Sequence, residues 1–189
     1  MDIKESINEA VKVLRDGGLI LYPTDTVWGI GCDATCEEAV QKVFALKKRS
    51  GAKSLVLLAR DLDMVARHIR QIPSMAIDLV EVNDSPMTIV YPGAVGLAPS
   101  CIAEDGSVGI RIPLNEFCLQ LLHRFGRPLV STSANISGEP TPECFKDISD
   151  EIRNGVDYVF PKALEQGATG KASQIIKLGL NNEVEIIRA

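Results

Sequence analysis

Along this chain, short apolar runs of four to six residues alternate with segments whose apolar positions recur at helical spacing, and that alternation restricts the fold most. The apolar runs lie at 19–22, 54–59, 87–91, 107–112, 129–132, 173–178 and 184–188. Between them, Ile3, Ile7, Ala10, Val11 and Leu14 mark a first amphipathic helix, which Asp2 with Glu5 starts and Gly17-Gly18 stops. Thr35 with Glu38 reads as the cap of a second helix whose Ala39, Val40, Val43, Phe44 and Leu46 face a core. Two short helices are expected over 61–82, the second with Pro73 in its first turn. Another runs from the Asn115 cap to Phe125 and ends at Gly126, and a last one covers 143–153. Residues 92–104 read as a long loop, and the Gly-Leu-Asn-Asn between the last two runs reads as the turn of a terminal hairpin. Strands alternating with helices, plus hairpins, imply an α/β fold with a mixed sheet.

The 189 residues, 46% of them hydrophobic, suffice for one domain with a real core, and no repeat, linker or low-complexity stretch divides them. A net charge of −5 argues against a broad basic face gripping nucleic acid. No run of about 18 uncharged apolar residues or secretory leader is present, so a cytoplasmic protein with no membrane contact is expected. The five cysteines are odd in number and form no C-x-x-C pair, which points to reduced thiols and no dedicated metal site.

Familiar ligand-binding motifs fail on inspection. Gly29-Ile30-Gly31-Cys32-Asp33-Ala34 fits G-x-G-x-x-A, yet Pro23 and a polar loop intervene after the strand, and Ser54 stands where an acid is needed. Gly170-Lys171 is followed by Ala172 and lacks the earlier glycine of a phosphate-binding loop. His68 and His123 lie in helical stretches with no nucleophile elbow. What survives is polar sequence at the mouths of apolar strands: Pro23-Thr24-Asp25-Thr26, then Lys47-Lys48-Arg49 running through Ser50-Gly51-Ala52-Lys53, then Ser131-Thr132-Ser133-Ala134-Asn135-Ile136-Ser137-Gly138. Turn chemistry and a helix-end cation cluster are the simple readings of the first two. The third carries more hydrogen-bonding groups than a turn requires.

Pro23 to Gly31, Leu46-Lys47-Lys48-Arg49 and Ser133 to Gly138 resemble, in order and spacing, the PT-[ED]-TVYGLG, K-x-R and SAN-x-SG signatures of the YrdC-like threonylcarbamoyl-AMP synthase family. The resemblance implies an open, twisted sheet of parallel and antiparallel strands with flanking helices around a concave cavity, all in one domain over 1–189. It also implies a nucleotidyltransferase that joins L-threonine, bicarbonate and ATP into threonylcarbamoyl-adenylate and pyrophosphate for t6A modification of tRNA, with Mg2+ entering on the ATP. Its product would pass to tRNA threonylcarbamoyl-transfer machinery. By the same resemblance Lys47, Arg49, Ser133 and Asn135 are catalytic, and Thr26, Arg111, Ser131 and Ser173 bind threonine. Arg49, Lys53, Ser107, Ser133, Thr141 and Arg188 would contact ATP. The chain departs from the family where Asn83 to Thr88 replaces a WPGP-[LV]-T segment, where Leu58 replaces a frequent histidine, and where Gln174 replaces a threonine. Two alternatives belong to the same fold: a carbamoyl-adenylate-forming domain, and a module binding double-stranded RNA weakly.

Overall fold

The computed structural model describes residues 2–49 and 55–189. Helix α1 (Ile3–Arg15) is capped by the Asp2 side chain and buries Ile7, Ala10, Val11 and Leu14 against the sheet and a later helix. The chain then forms β1 (Ile20–Pro23), β2 (Trp28–Gly31), α2 (Glu37–Leu46), β3 (Val56–Leu58), α3 (Leu62–Ala66), α4 (Ser74–Val82) and β4 (Met87–Tyr91). It continues through β5 (Val108–Arg111), α5 (Glu116–Phe125), β6 (Leu129–Ser133), α6 (Asp150–Asn154), β7 (Tyr158–Val159), β8 (Gln174–Leu178) and β9 (Val184–Arg188). These strands make one mixed sheet in the order β7-β1-β2-β6-β3-β5-β4-β8-β9. The pairs β1/β7, β3/β5 and β4/β8 are parallel and the other five antiparallel.

Helix α5 starts and stops as its sequence dictates: the Asn115 side chain accepts from the Cys118 N–H, and Gly126 takes the left-handed conformation at φ +80°. Four sequence expectations need correction. Thr35 does not cap α2; its N–H and hydroxyl both bond to Asp33 Oδ1, and the helix begins two residues later behind Cys36. The expected helix over 143–153 is broken into a 3₁₀ turn at Phe145–Asp147 and the short α6, because Ser149 caps a new start. Residues 28–31, read as part of a failed glycine motif, form an inner strand. His68 sits beyond the end of α3, where its Nδ1–H donates to Val95 O at 3.2 Å.

Strand β2 explains one of its two glycines. A Cβ at Gly31 would stand 2.6 Å from the ring of Tyr22, which is wholly buried and donates its hydroxyl to Val130 O at 3.1 Å. Gly31→Ala is therefore expected to destabilise the fold by about 1–3 kcal/mol, the usual range for overpacking. A lower urea midpoint at unchanged slope is the result that checks it.

Candidate functional site

The β1–β2 turn, the end of α2 and strands β3, β5 and β6 converge on one concave cavity of about 340 Å3. Its remaining wall comes from Gly170, Ala172 and Ser173 and from Arg188 on the edge strand β9. Thr26, Arg49, Arg111, Ser131, Ser133, Thr141, Ser173 and Arg188 all line it, although they lie up to 162 positions apart in sequence. Among the described residues three arginines and no carboxylate line this space, so its chemistry suits an anion.

Arg111 is not the solvated strand-edge arginine its sequence context permits. Strand β5 lies inside the sheet between β3 and β4, and the Arg111 side chain is only 3% exposed. Its Nη1 donates to Asp25 Oδ1 and its Nη2 to Thr26 Oγ1 at 3.3 Å. Thr24 Oγ1 donates to Val27 O at 2.7 Å, which leaves Thr26 as the donor in the 3.0 Å bond between the two threonine hydroxyls. Thr26 thus offers the cavity a lone pair. On the facing wall Ser173 Oγ pairs with buried Thr88 Oγ1 at 2.7 Å, and Arg188 Nε donates to Ser173 O at 2.8 Å.

The K-x-R spacing has a backbone cause. Lys48 adopts φ +50°, and the bonds from Arg49 N to Phe44 O and from Lys48 N to Ala45 O close α2 in a left-handed C-terminal motif. That reversal turns Lys47 inward, points exposed Lys48 at Glu151 at 2.7 Å, and places Arg49 on the cavity wall with its guanidinium 5.8 Å from the Phe44 ring centre. Lys47, 3% exposed, donates from Nζ to Ser133 O at 2.5 Å and to Asn135 O at 2.7 Å, while its carbonyl accepts from Ser137 N. Burial, reinforced by the charge of Arg49, pulls its ammonium down to about 8.

The sequence-predicted residues therefore divide. Lys47 grips the strand-end loop and does not line the cavity. Asn135 also turns into that loop, where its amide donates to Ile136 O and Glu139 O and its buried Oδ1 has no partner among the described residues. Ser107 lines an adjoining space of about 140 Å3 that shares Leu55 and Val56 with the main cavity, and its hydroxyl donates to Asp105 Oδ1 at 2.5 Å. Lys53 lies outside the described residues. Sequence reading gave no role to Asp25 or Thr88, whose partners are 86 and 85 positions away. His123 accepts from Arg60 Nη1 at its Nδ1, 2.6 Å away on an exposed face, so neither histidine joins the cavity. Among the described residues no cluster of three or more histidine, cysteine, aspartate or glutamate side chains could hold a metal, and no helix is long and apolar enough to cross a membrane.

Comparison with known proteins gives the same picture. The family model named Sua5/YciO/YrdC and described as "Telomere recombination" matches residues 12–189. A threonylcarbamoyl-AMP synthase of Hahella chejuensis is 33% identical over 89% of this chain and 91% of its own length, and one from Coxiella burnetii is 36% identical over 82% and 84%. Among solved structures, P. abyssi Sua5 complexed with L-threonine superposes with a TM-score of 0.82 at 27% identity over 94% of this chain, which spans 52% of that longer protein. E. coli YciO superposes with a TM-score of 0.83 over 99% of this chain and 89% of its own, at 23% identity. With an ordered set of three motifs, a shared mixed sheet and a match over nearly its whole length, the chain belongs to the Sua5/YciO/YrdC family.

Proposed function

We propose that this protein is a threonylcarbamoyl-AMP synthase, a nucleotidyltransferase that makes threonylcarbamoyl-adenylate from L-threonine, bicarbonate and ATP as one domain. The observation that carries the reading is the single cavity in which Arg111 and Thr26 form one wall while Arg49, Ser133 and Arg188 form others. Two reactants with anionic groups must meet there, and cations with neutral donors supply what their approach needs.

The threonine amine first takes up bicarbonate as a carbamate with loss of water. A carbamate oxygen then bonds to the α-phosphorus of ATP, and the bond to the bridging oxygen of pyrophosphate breaks. Arg111 would hold the threonine carboxylate, with Thr26, Ser131 and Ser173 around the amine and side chain. Arg49 and Ser133 would meet the phosphates, Thr141 and Arg188 the rest of the nucleotide, with Ser107 at its adjoining end and Lys53 supplying a further charge. Mg2+ enters as the counter-ion of ATP. Lys47 and Asn135 contribute by shaping the 133–137 loop, so their place in the catalytic set is indirect. The product would be consumed by a cytoplasmic machinery that transfers threonylcarbamoyl to tRNA.

The test is pyrophosphate release from ATP with and without L-threonine and bicarbonate, coupled to mass detection of the adenylate. Release that requires both co-substrates and yields the threonylcarbamoyl-adenylate mass is expected. Turnover that ignores threonine and responds to carbamoyl phosphate would replace this reading with carbamoyl-adenylate formation. No turnover, with a salt-dependent shift of double-stranded RNA, would replace it with RNA binding.

A further inference from the structure

We infer that Asp25 is a positioning residue that fixes the Arg111 guanidinium for the substrate carboxylate and thereby sets recognition of the amino acid; the inference rests on the proposed synthase reading. Asp25 and Arg111 form an ion pair in which both side chains are under a tenth exposed, a pairing not repeated among the other described ion pairs. Both carboxylate oxygens are committed. Oδ1 accepts from Arg111, and Oδ2 accepts from Leu114 N at 3.0 Å, just beyond the end of β5. The Asp25 carbonyl also accepts from Thr169 N at 3.0 Å, while the neighbouring Thr26 O accepts from Gly170 N at 2.9 Å. One residue therefore ties the β1–β2 turn, the exit of β5 and the segment leading to Ser173 into a single frame.

Asp25 does not line the cavity, whereas Arg111 and Thr26 do. Its carboxylate takes one edge of the guanidinium and Thr26 takes another, so the remaining N–H donors keep a fixed direction toward the cavity. A planar fork recognises a carboxylate well only in such a set orientation. The same frame fixes the lone pair of Thr26, because its hydroxyl proton goes to Thr24. A guanidinium donor beside a hydroxyl acceptor matches the carboxylate and amine of an α-amino acid.

Asp25→Asn keeps the shape and removes the charge. It is expected to raise the KM for L-threonine about tenfold or more while the KM for ATP stays within about twofold, because a misaimed fork costs only the ligand it holds. The inhibition constant of L-threoninamide, which lacks the carboxylate, should not change. Asp25→Glu restores the charge one methylene further out and should recover part of the threonine KM. If Asp25→Asn does not fold, Asp25→Glu carries the test through a threonine KM raised about threefold or more with the ATP KM unchanged. Equal shifts in both KM values, or an unchanged threonine KM in a folded variant, would overturn the inference. Calorimetric titration of the unsubstituted protein with L-threonine separates the two ideas. Threonine binding that Asp25→Asn leaves intact overturns the positioning role alone, and no binding by the unsubstituted protein overturns the synthase reading and this inference together.

Discussion

Arg49→Ala is expected to lower kcat for pyrophosphate release by about 10²- to 10³-fold, the usual cost of removing a donor aimed at charge that develops in the transition state. Helix α2 ends at the cavity, and the negative end of its dipole would repel a phosphate arriving there. Arg49, three residues past the end of α2, answers that field with a full positive charge on a planar fork. Its side chain is held from behind by the Phe44 ring, so the guanidinium is set before the nucleotide binds. Because Arg49 is half-exposed and makes no ion pair among the described residues, the alanine variant should keep its unfolding free energy in urea within about 0.5 kcal/mol of the parent. Arg49→Lys keeps the charge and loses the fork, and should recover only part of the rate. The KM for threonine, set on another wall, should hardly move. Full activity in Arg49→Ala would remove Arg49 from the chemistry.

What the sequence revealed depended on whether a residue's role is local. The caps of α1 and α5 and the strand over 87–91 are decided within a few neighbours, and each stands where the pattern put it. Strand β2 escaped because two of its four residues are glycines, poor strand formers on any scale, and only the buried Tyr22 ring shows why Gly31 is one. Strand β7 has two residues and pairs with β1 from far along the chain, which no short window can register. The site divides the same way. Resemblance located Arg49, Arg111, Ser131 and Ser133, and the fold brings all four to one cavity. It could not show that a left-handed Lys48 sends Lys47 and Arg49 to different places, since that follows from backbone conformation. Nor could it show that the acidic position in the first motif holds Arg111, because the pairing spans 86 residues and exists only once β1 and β5 share a sheet.

Lys47 supplies the second large effect. Lys47→Met should lower kcat by about 10²-fold with little loss of stability, because its ammonium acts on the backbone of the loop that carries Ser133. Removing a buried charge regains its desolvation cost, which offsets the two lost hydrogen bonds. Activity and stability should also part company with pH. The folded ammonium titrates at about 8, below its ordinary 10.5, so at neutral pH both folded and unfolded chains carry the proton. Between about 8 and 10.5 only the unfolded chain carries it, and the contribution of this group to stability rises with pH across that window. Activity should fall over the same range, because a neutral amine donates more weakly to the two carbonyls and adds no positive potential beside Arg49. The threonine amine works in the opposite sense, since only its neutral form attacks, so an alkaline fall in kcat/KM does not come from that amine. Lys47→Arg cannot lose its charge in this range, and whatever its absolute rate, the alkaline fall should vanish. A fall that persists at the same pH in Lys47→Arg, or a Lys47→Met variant with parental kcat, would show that the loop does not depend on this ammonium.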